Sequence, residues 1–187
     1  MKTIEMSNYS VGESCYNEIP SVCEKYNVKK VVLIGGKRAL AAAEPRIREA
    51  IQGTDIIITD SIVYGVDSTM TNVHKLTSNP NVQEADVIFA IGGGKAIDTC
   101  KTASIEMDDK MVFSFPTICS NCSAATAIAV VYDDNGALDT IHIRIVQHIS
   151  LSIQMLSQKH QANISGQELG MPCLNNVKLN SQHKERL

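Results

Sequence analysis

The sequence predicts an α/β fold built on a doubly wound, mostly parallel sheet. Short apolar runs rich in Val and Ile alternate with stretches of helical periodicity along the first 143 residues. Two of the apolar runs end in consecutive glycines that lead directly into a helix. Strands separated by helices of this length form right-handed crossovers, which produce a parallel sheet with helices on both faces.

Five strands are expected. They cover Val28–Gly36, Thr54–Asp60, Ala85–Ile91, Met111–Phe115 and Ala127–Tyr132. The fifth is followed by the sequence Asp-Asp-Asn-Gly, which is typical of a hairpin turn.

Helices are expected between these strands. The first covers Ala39–Gln52, and Pro45 is interpreted as restarting the helix, as a residue of a new first turn. A polar helical stretch follows the second strand and continues through Leu76. Another helix, over Lys95–Ile105, begins directly after three glycines.

Composition narrows the possible functions of the chain. It has 187 residues, a formal net charge of −3 and 44% hydrophobic residues, which is enough for one ordinary domain with a core. The acidic balance argues against a nucleic-acid or anionic-membrane partner that is bound by bulk electrostatics. No apolar run approaches the ~18 residues of a membrane span, and the N-terminus lacks the apolar region of a signal peptide. We therefore expect a cytoplasmic protein.

The last 44 residues differ in composition from the rest. Residues 1–143 carry 12 basic and 18 acidic side chains, whereas residues 144–187 carry 5 basic and 2 acidic ones. Six of the eight glutamines lie after Arg144, and all eight aromatic residues lie at or before Tyr132. We therefore predict an α/β domain over residues 1–143 and an irregular, poorly ordered tail over residues 144–187.

Six cysteines are present in a chain without a secretion signal, which favours reduced thiols. Cys119 and Cys122 have the CxxC spacing of a redox pair or half a zinc site. No second CxxC and no local His pair completes a zinc site. Small buried or loop thiols are the alternative interpretation.

The glycines suggest a ligand site. In a parallel sheet, ligands bind beyond the carboxyl ends of the strands, where glycines admit close approach and helix N-termini attract phosphate. Gly92, Gly93, Gly94 and Lys95 have this arrangement, although a tight turn without a ligand would give the same sequence. Asp98, one turn further, is a candidate to bind a loop backbone amide or the ligand, or to stabilise the start of the helix.

Two further segments are expected at the same edge. Gly35 and Gly36 end the first strand, and Lys37 and Arg38 follow them as phosphate contacts or solvated charges. The loop after the fourth strand carries small polar residues suited to a nicotinamide–ribose, although Ser120 is also a common helix-capping residue.

Four strings in this order make the sequence familiar: YSVGESCYNEIPSVCEKY, VVLIGGKRALAAAEPRIREAI, ADVIFAIGGGKAIDTCK and FPTICSNCSAATAIAVVYDDNGAL. From about Tyr9 to about His142 the chain resembles the N-terminal domain of the iron-containing alcohol dehydrogenase family, close to its glycerol dehydrogenase-like branch. The resemblance implies a Rossmann-like domain of the dehydroquinate synthase-like fold that binds NAD or NADP. It also implies a helical C-terminal domain, which we expect to be absent here.

The resemblance also implies roles for individual residues. Those implied to line the pyrophosphate are Gly93, Gly94, Lys95 and Asp98. Those implied on the adenosine or nicotinamide side are Thr117, Ser120 and Thr126, and Ile128 and Tyr132 are implied beside the nicotinamide. In glycerol dehydrogenases an aspartate that touches substrate occupies the position of Cys122, so a substrate other than glycerol is expected. Lys37 and Arg38 stand where an acid would favour NAD, and their charge favours NADP.

The family also implies a catalytic divalent metal, zinc or iron, whose aspartate and histidine ligands have no match here. Plausible codons chosen for residues 144–187 and read in a neighbouring frame give a family-like string that includes IDTNVIAKAP and AGIGDAL. The aspartate of AGIGDAL corresponds to a metal ligand. Our hypothesis is a one-base frameshift near Arg144, which would make Val146–Leu187 an out-of-frame peptide. A genuine divergent tail is the alternative, in which His148, His160 and His183 are conceivable replacement ligands.

Two functions from different classes follow. One is a metal-dependent alcohol or polyol dehydrogenase that uses NAD or NADP, acts on a small-molecule alcohol or polyol, and is homo-oligomeric when intact. The other is an inactive nucleotide-binding fragment of a disrupted gene. A lyase of the dehydroquinate synthase type is a third option, against which the strings GGGKAIDT and PTICSNC argue.

Overall fold

The chain folds around a parallel sheet. The computed structural model describes residues 8–118, 120, 122–143 and 148–152. Within them a six-stranded sheet has the order β1-β8-β5-β4-β2-β3, and each neighbouring pair is parallel. Its strands are β1 (Asn8–Val11), β2 (Lys30–Gly35), β3 (Ile57–Val63), β4 (Val87–Gly92), β5 (Met111–Pro116) and β8 (His148–Ser152). The predicted α/β class with a mostly parallel sheet is confirmed.

The predicted fifth strand lies outside this sheet. Strands β6 (Ile128–Tyr132) and β7 (Leu138–Ile143) form a separate antiparallel hairpin. Its turn is closed by Asp133, whose carboxylate accepts hydrogen bonds from the backbone N–H groups of Asn135 (2.9 Å) and Ala137 (2.8 Å). The turn signal in the sequence is therefore correct.

Five helices flank the sheet in the described part of the chain. They are α1 (Ile19–Lys25), α2 (Lys37–Ala50), α3 (Met70–Thr77), α4 (Pro80–Glu84) and α5 (Gly94–Glu106). The placement of Pro45 in a first turn is wrong, because α2 begins at Lys37 and Pro45 lies inside it. The helix continues through this residue because Leu40, Ala43 and Ile47 bury its apolar face against the sheet.

Two apolar layers cover the two faces of the sheet. Strand β4 is buried along its whole length, as expected for an inner parallel strand. Its Phe89 and Ile91 join the layer of α1 and α2, whereas Ile88 and Ala90 join the layer of α3 and α5. None of the helices in the described part of the chain has the length and apolarity needed to cross a membrane.

Part of the predicted tail lies in the sheet. Residues His148–Ser152 form β8, which pairs with β1 on one side and with β5 on the other. Their sequence, HISLS, alternates polar and apolar residues as a strand does. The remaining residues from 144 onward, with His160 and His183, lie outside the described residues, so the tail and the frameshift stay predictions.

The buried thiols predict a loss of stability at alkaline pH. Burial raises the pKa of Cys23 to about 12 from 9.0, and it also raises the pKa of Cys100. Above pH 9 the unfolded chain loses these protons while the folded chain retains them. The free energy of unfolding should therefore fall as pH rises from 9 towards 12, by at most about 1.4 kcal/mol per pH unit for each thiol.

Urea denaturation at several pH values between 8 and 11, under reducing conditions, measures this slope. Cys23→Ala should make it shallower, whereas Cys122→Ala should leave it unchanged because Cys122 is exposed. Equal slopes in the Cys23→Ala chain and the unchanged chain would show that Cys23 is not responsible.

Candidate active site: a cleft at the carboxyl edge of the sheet

A cleft of about 360 Å³ opens at the carboxyl ends of β2, β4 and β5. Its size lies within the range of small-molecule and cofactor sites. It is lined by Gly36, Lys37, Arg38, Ala39, Ala42, Tyr64, Gly92, Gly93, Ala96, Thr117 and Ile118. The structure thus brings together five of the residues that the sequence predicts for a cofactor: Gly36, Lys37, Gly92, Gly93 and Thr117.

The glycine turn after β4 shapes one wall of the cleft. Gly92 has a φ of 148°, which other residues rarely adopt, and its carbonyl accepts a hydrogen bond from the N–H of Thr117 (3.0 Å). A Cβ on Gly93 would lie 2.7 Å from Cδ1 of Ile118, in the space of the cleft wall. Gly92 and Gly93 therefore bring the backbone of the turn to the wall of the cleft, and its contact with a ligand stays a prediction.

Two helix N-termini meet at the cleft. Helix α2 begins after Gly36 and α5 after Gly93, and these N-cap glycines have no side chain that could accept a hydrogen bond from the first-turn N–H groups. The first-turn N–H groups and the positive ends of both helix dipoles therefore favour an anion. The side chains of Lys37 and Arg38 add positive charge, and none of the lining residues carries a carboxylate.

Gly35 lies against the neighbouring strand β4. It does not line the cleft, and a Cβ at this position would lie 2.3 Å from the carbonyl oxygen of Ile91 on the neighbouring strand. Close packing of β2 on β4 accounts for this glycine, and a direct contact with a cofactor stays a prediction.

Lys95 and Tyr132 line a second, polar groove of about 700 Å³ between the β3–α3 loop and the β6–β7 turn. The ammonium group of Lys95 forms an ion pair with Asp67. On the other wall, Thr71 donates a hydrogen bond to Asp134 (2.9 Å). Lys95 therefore points away from the cleft in this structure.

Asp98 faces the β6 segment instead of the cleft. Its carboxylate accepts hydrogen bonds from Oγ of Ser123 and from the N–H of Val130. Burial raises the pKa of Asp98. The two hydrogen bonds and the positive charge of the nearby Lys101 oppose that rise. The backbone partner of Asp98 thus belongs to strand β6, and binding of a ligand by Asp98 stays a prediction.

Lys101 is a buried residue beside predicted cofactor neighbours, and the sequence analysis missed it. It lies two turns into α5 and is 1% exposed, and its ammonium donates to the backbone carbonyls of Ser123, Thr126 (2.6 Å) and Ile128 (3.0 Å). The last two residues are predicted neighbours of the cofactor. A lysine within a helix of mostly small residues was the available signal.

The loop after β5 is described in part. Ser120 and Cys122 are exposed, and Cys119 lies outside the described residues, so the CxxC interpretation stays untested. Gly94 is the first residue of α5. Among the described residues, no three His, Cys, Asp or Glu side chains cluster in a way that could bind a metal ion.

Comparison with known proteins identifies the family. The model of the iron-containing alcohol dehydrogenases matches residues 7–149. The chain belongs to the iron-containing alcohol dehydrogenase family. The family predicted from the motifs is thereby confirmed, and the glycine turn and the cleft lie within the matched region.

Two curated relatives and one solved structure illustrate the similarity. Glycolaldehyde reductase of Halobacterium salinarum is 32% identical over 133 residues, which are 71% of this chain and 36% of that protein. Glycerol dehydrogenase of Escherichia coli is 24% identical over 108 residues, which are 58% of this chain and 29% of that protein. The chain therefore spans about a third of the length of these relatives.

The solved glycerol dehydrogenase of Schizosaccharomyces pombe has the same fold. It superposes with a TM-score of 0.72 at 18% identity and covers 84% of this chain and 40% of that chain. The iron-containing alcohol dehydrogenase fold is thus shown for this chain, with glycerol dehydrogenases among its relatives.

Proposed function

We propose that this chain binds NAD or NADP as the cofactor-binding part of an alcohol or polyol dehydrogenase. The observation that carries the proposal is the cleft at the carboxyl edge of the sheet, where the N-termini of α2 and α5 meet beside Lys37 and Arg38. Such a site suits the diphosphate of a dinucleotide. Membership of the family supports the same conclusion.

The proposed orientation follows the two walls of the cleft. The pyrophosphate would lie on Gly92, Gly93 and the N–H groups at Gly94 and Lys95. The adenosine ribose would lie at Lys37 and Arg38, because these cations line the α2 wall. Residues proposed for the remainder of the dinucleotide are Thr117, Ser120, Thr126, Ile128 and Tyr132.

The described residues would bind and orient the dinucleotide. A nicotinamide bound here would supply the hydride acceptor or donor for a hydroxyl carbon. Thr117, whose backbone is fixed by its hydrogen bond to Gly92, would limit movement of the cofactor in the cleft. A catalytic metal does not fit the described residues, because they contain no suitable cluster of ligands. We therefore assign no step to a metal.

The substrate is proposed as a small alcohol or polyol, since the relatives include a glycolaldehyde reductase and glycerol dehydrogenases. Cys122 would lie on the substrate side of the site. We further propose a cytoplasmic location and, for the whole protein, a homo-oligomer.

Fluorescence titration of the folded chain with NADPH and NADH tests the proposal, with ADP as a competitor for the same cleft. We expect saturable binding that ADP displaces, because the pyrophosphate site is common to all three ligands. No binding up to millimolar concentration by a chain with native circular dichroism would refute the proposal. Binding without oxidation of glycerol or other small alcohols in the presence of zinc or iron(II) would favour the inactive nucleotide-binding fragment.

A further inference from the structure

A buried lysine connects the glycine turn to a distant part of the chain. The ammonium of Lys101 lies among three backbone carbonyls, at Ser123, Thr126 and Ile128, which are 22 to 27 residues further along the chain. A buried ammonium without partners would be strongly unfavourable, so these carbonyls and the charge fix each other in place. Burial lowers the pKa of Lys101 to about 8, while Asp98 and Cys122 oppose that change.

Asp98 binds the same segment from one turn earlier on α5. Its carboxylate accepts from the hydroxyl of Ser123 and from the N–H of Val130. Asp98 and Lys101 therefore contact both ends and the middle of the segment Ser123–Val130. Both side chains project from the helix whose first residues form the glycine turn.

We propose that Lys101 and Asp98 are positioning residues that fix the segment Ser123–Val130 relative to the glycine turn. The proposal rests on the function proposed above. It assigns to these two side chains the alignment of the nicotinamide end of the cofactor with its pyrophosphate end. The segment contains Ile128, which the family resemblance places beside the nicotinamide, and Thr126, which is proposed to contact the same part of the dinucleotide. The α2 wall is formed without this segment. Helix α5 is the rigid element between the two ends.

Hydrogen exchange tests the contact without any ligand. In Lys101→Met the amides of residues 123–130 should exchange about tenfold faster or more, because three carbonyls lose their donor. The amides of β2 should keep their rates. Lys101→Arg, which retains the charge and the donors, should restore much of the protection.

Binding of two ligands of different length tests whether Lys101 and Asp98 align the two ends of the cofactor. NADPH spans both ends of the site, whereas 2′,5′-ADP reaches only the adenosine and phosphate end. Lys101→Met should weaken NADPH binding about tenfold, which corresponds to about 1.4 kcal/mol, and change the affinity for 2′,5′-ADP less than about twofold. If Lys101 had only a structural role, the affinities for both ligands would fall by a similar factor.

Lys110→Met is the matched control. Its ammonium also donates to backbone carbonyls, those of Gln83 (3.1 Å) and Ala85, but these lie away from the segment. Neither the exchange of residues 123–130 nor the ratio of the two affinities should change in this variant.

Ser123→Ala is the second variant, for use if Lys101→Met does not fold. It removes one hydrogen bond to Asp98 and should accelerate exchange in the same segment by a smaller factor. The proposal would be overturned if the exchange rates of residues 123–130 did not change in the variants. It would also be overturned if the affinities for NADPH and 2′,5′-ADP fell by the same factor. If the unchanged chain bound neither ligand, the proposed function would fail, and hydrogen exchange alone would decide whether Lys101 and Asp98 fix the segment.

Discussion

Replacement of Gly35 by alanine is expected to lower the free energy of unfolding by about 3 kcal/mol, at the upper end of the usual cost of overpacking a core. A Cβ at this position would lie 2.3 Å from the carbonyl oxygen of Ile91. That oxygen belongs to the backbone of the buried strand β4, so no side-chain rotation can relieve the clash. Either β2 or β4 would have to move, and both apolar layers of the protein contact these strands.

Urea denaturation measures this effect, and the neighbouring Gly36→Ala provides the control. A Cβ on Gly36 would have Cε1 of Tyr64 as its nearest neighbour, at 4.0 Å, and the φ of this residue is −75°. Gly36→Ala should therefore lower the free energy of unfolding by only about 0.5 kcal/mol, because alanine is a weaker N-cap residue than glycine. Similar stabilities of the two variants would contradict the assignment of Gly35 to strand packing.

Replacement of both Lys37 and Arg38 by alanine is expected to weaken NADPH binding about 100-fold or more, because hydrogen bonds to charged groups contribute about 1.5–3 kcal/mol each. Both side chains line the α2 wall of the cleft, where the proposed orientation places the 2′-phosphate. NADH lacks that phosphate, so its binding should weaken much less. The unchanged chain should accordingly prefer NADPH.

Parallel titrations with NADPH and NADH measure both affinities. Arg48→Ala serves as a control on the same helix, since Arg48 lies in the last turn and pairs with Glu44 (2.7 Å). It removes one positive charge without altering the cleft and should leave the preference intact. If the double variant lost affinity for NADPH and for NADH by the same factor, a specific contact with the 2′-phosphate would be excluded.

Strand positions were predictable where the strand is buried on both faces. The run ADVIFAI indicated β4 almost to the residue, because a continuous apolar run between polar boundaries has few alternatives. The edge strand β3 was placed three residues too early, at Thr54 instead of Ile57. Most residues of β3 are half-exposed, so the strand has no clear alternation of buried and exposed residues that would mark its ends.

Strand β1 was not predicted at all. It has four residues, and within the described chain its one partner strand is β8. A strand of this length has no measurable period, and its existence depends on a neighbour 141 residues away in the sequence, with Asn8 opposite Ile149. Local sequence cannot report such a pairing.

The features of the candidate site also separate into those that local sequence predicts and those that depend on tertiary contacts. The sequence alone determined the α/β class, the glycine turn at the end of β4 and the family, because strand period, backbone freedom and motif spacing are local properties. The tertiary structure alone decided that Gly35 serves strand packing, that Lys95 pairs with Asp67, and that Lys101 binds the carbonyls beyond Cys122. These contacts join residues 22 to 56 positions apart, and only the folded chain brings such residues within bonding distance.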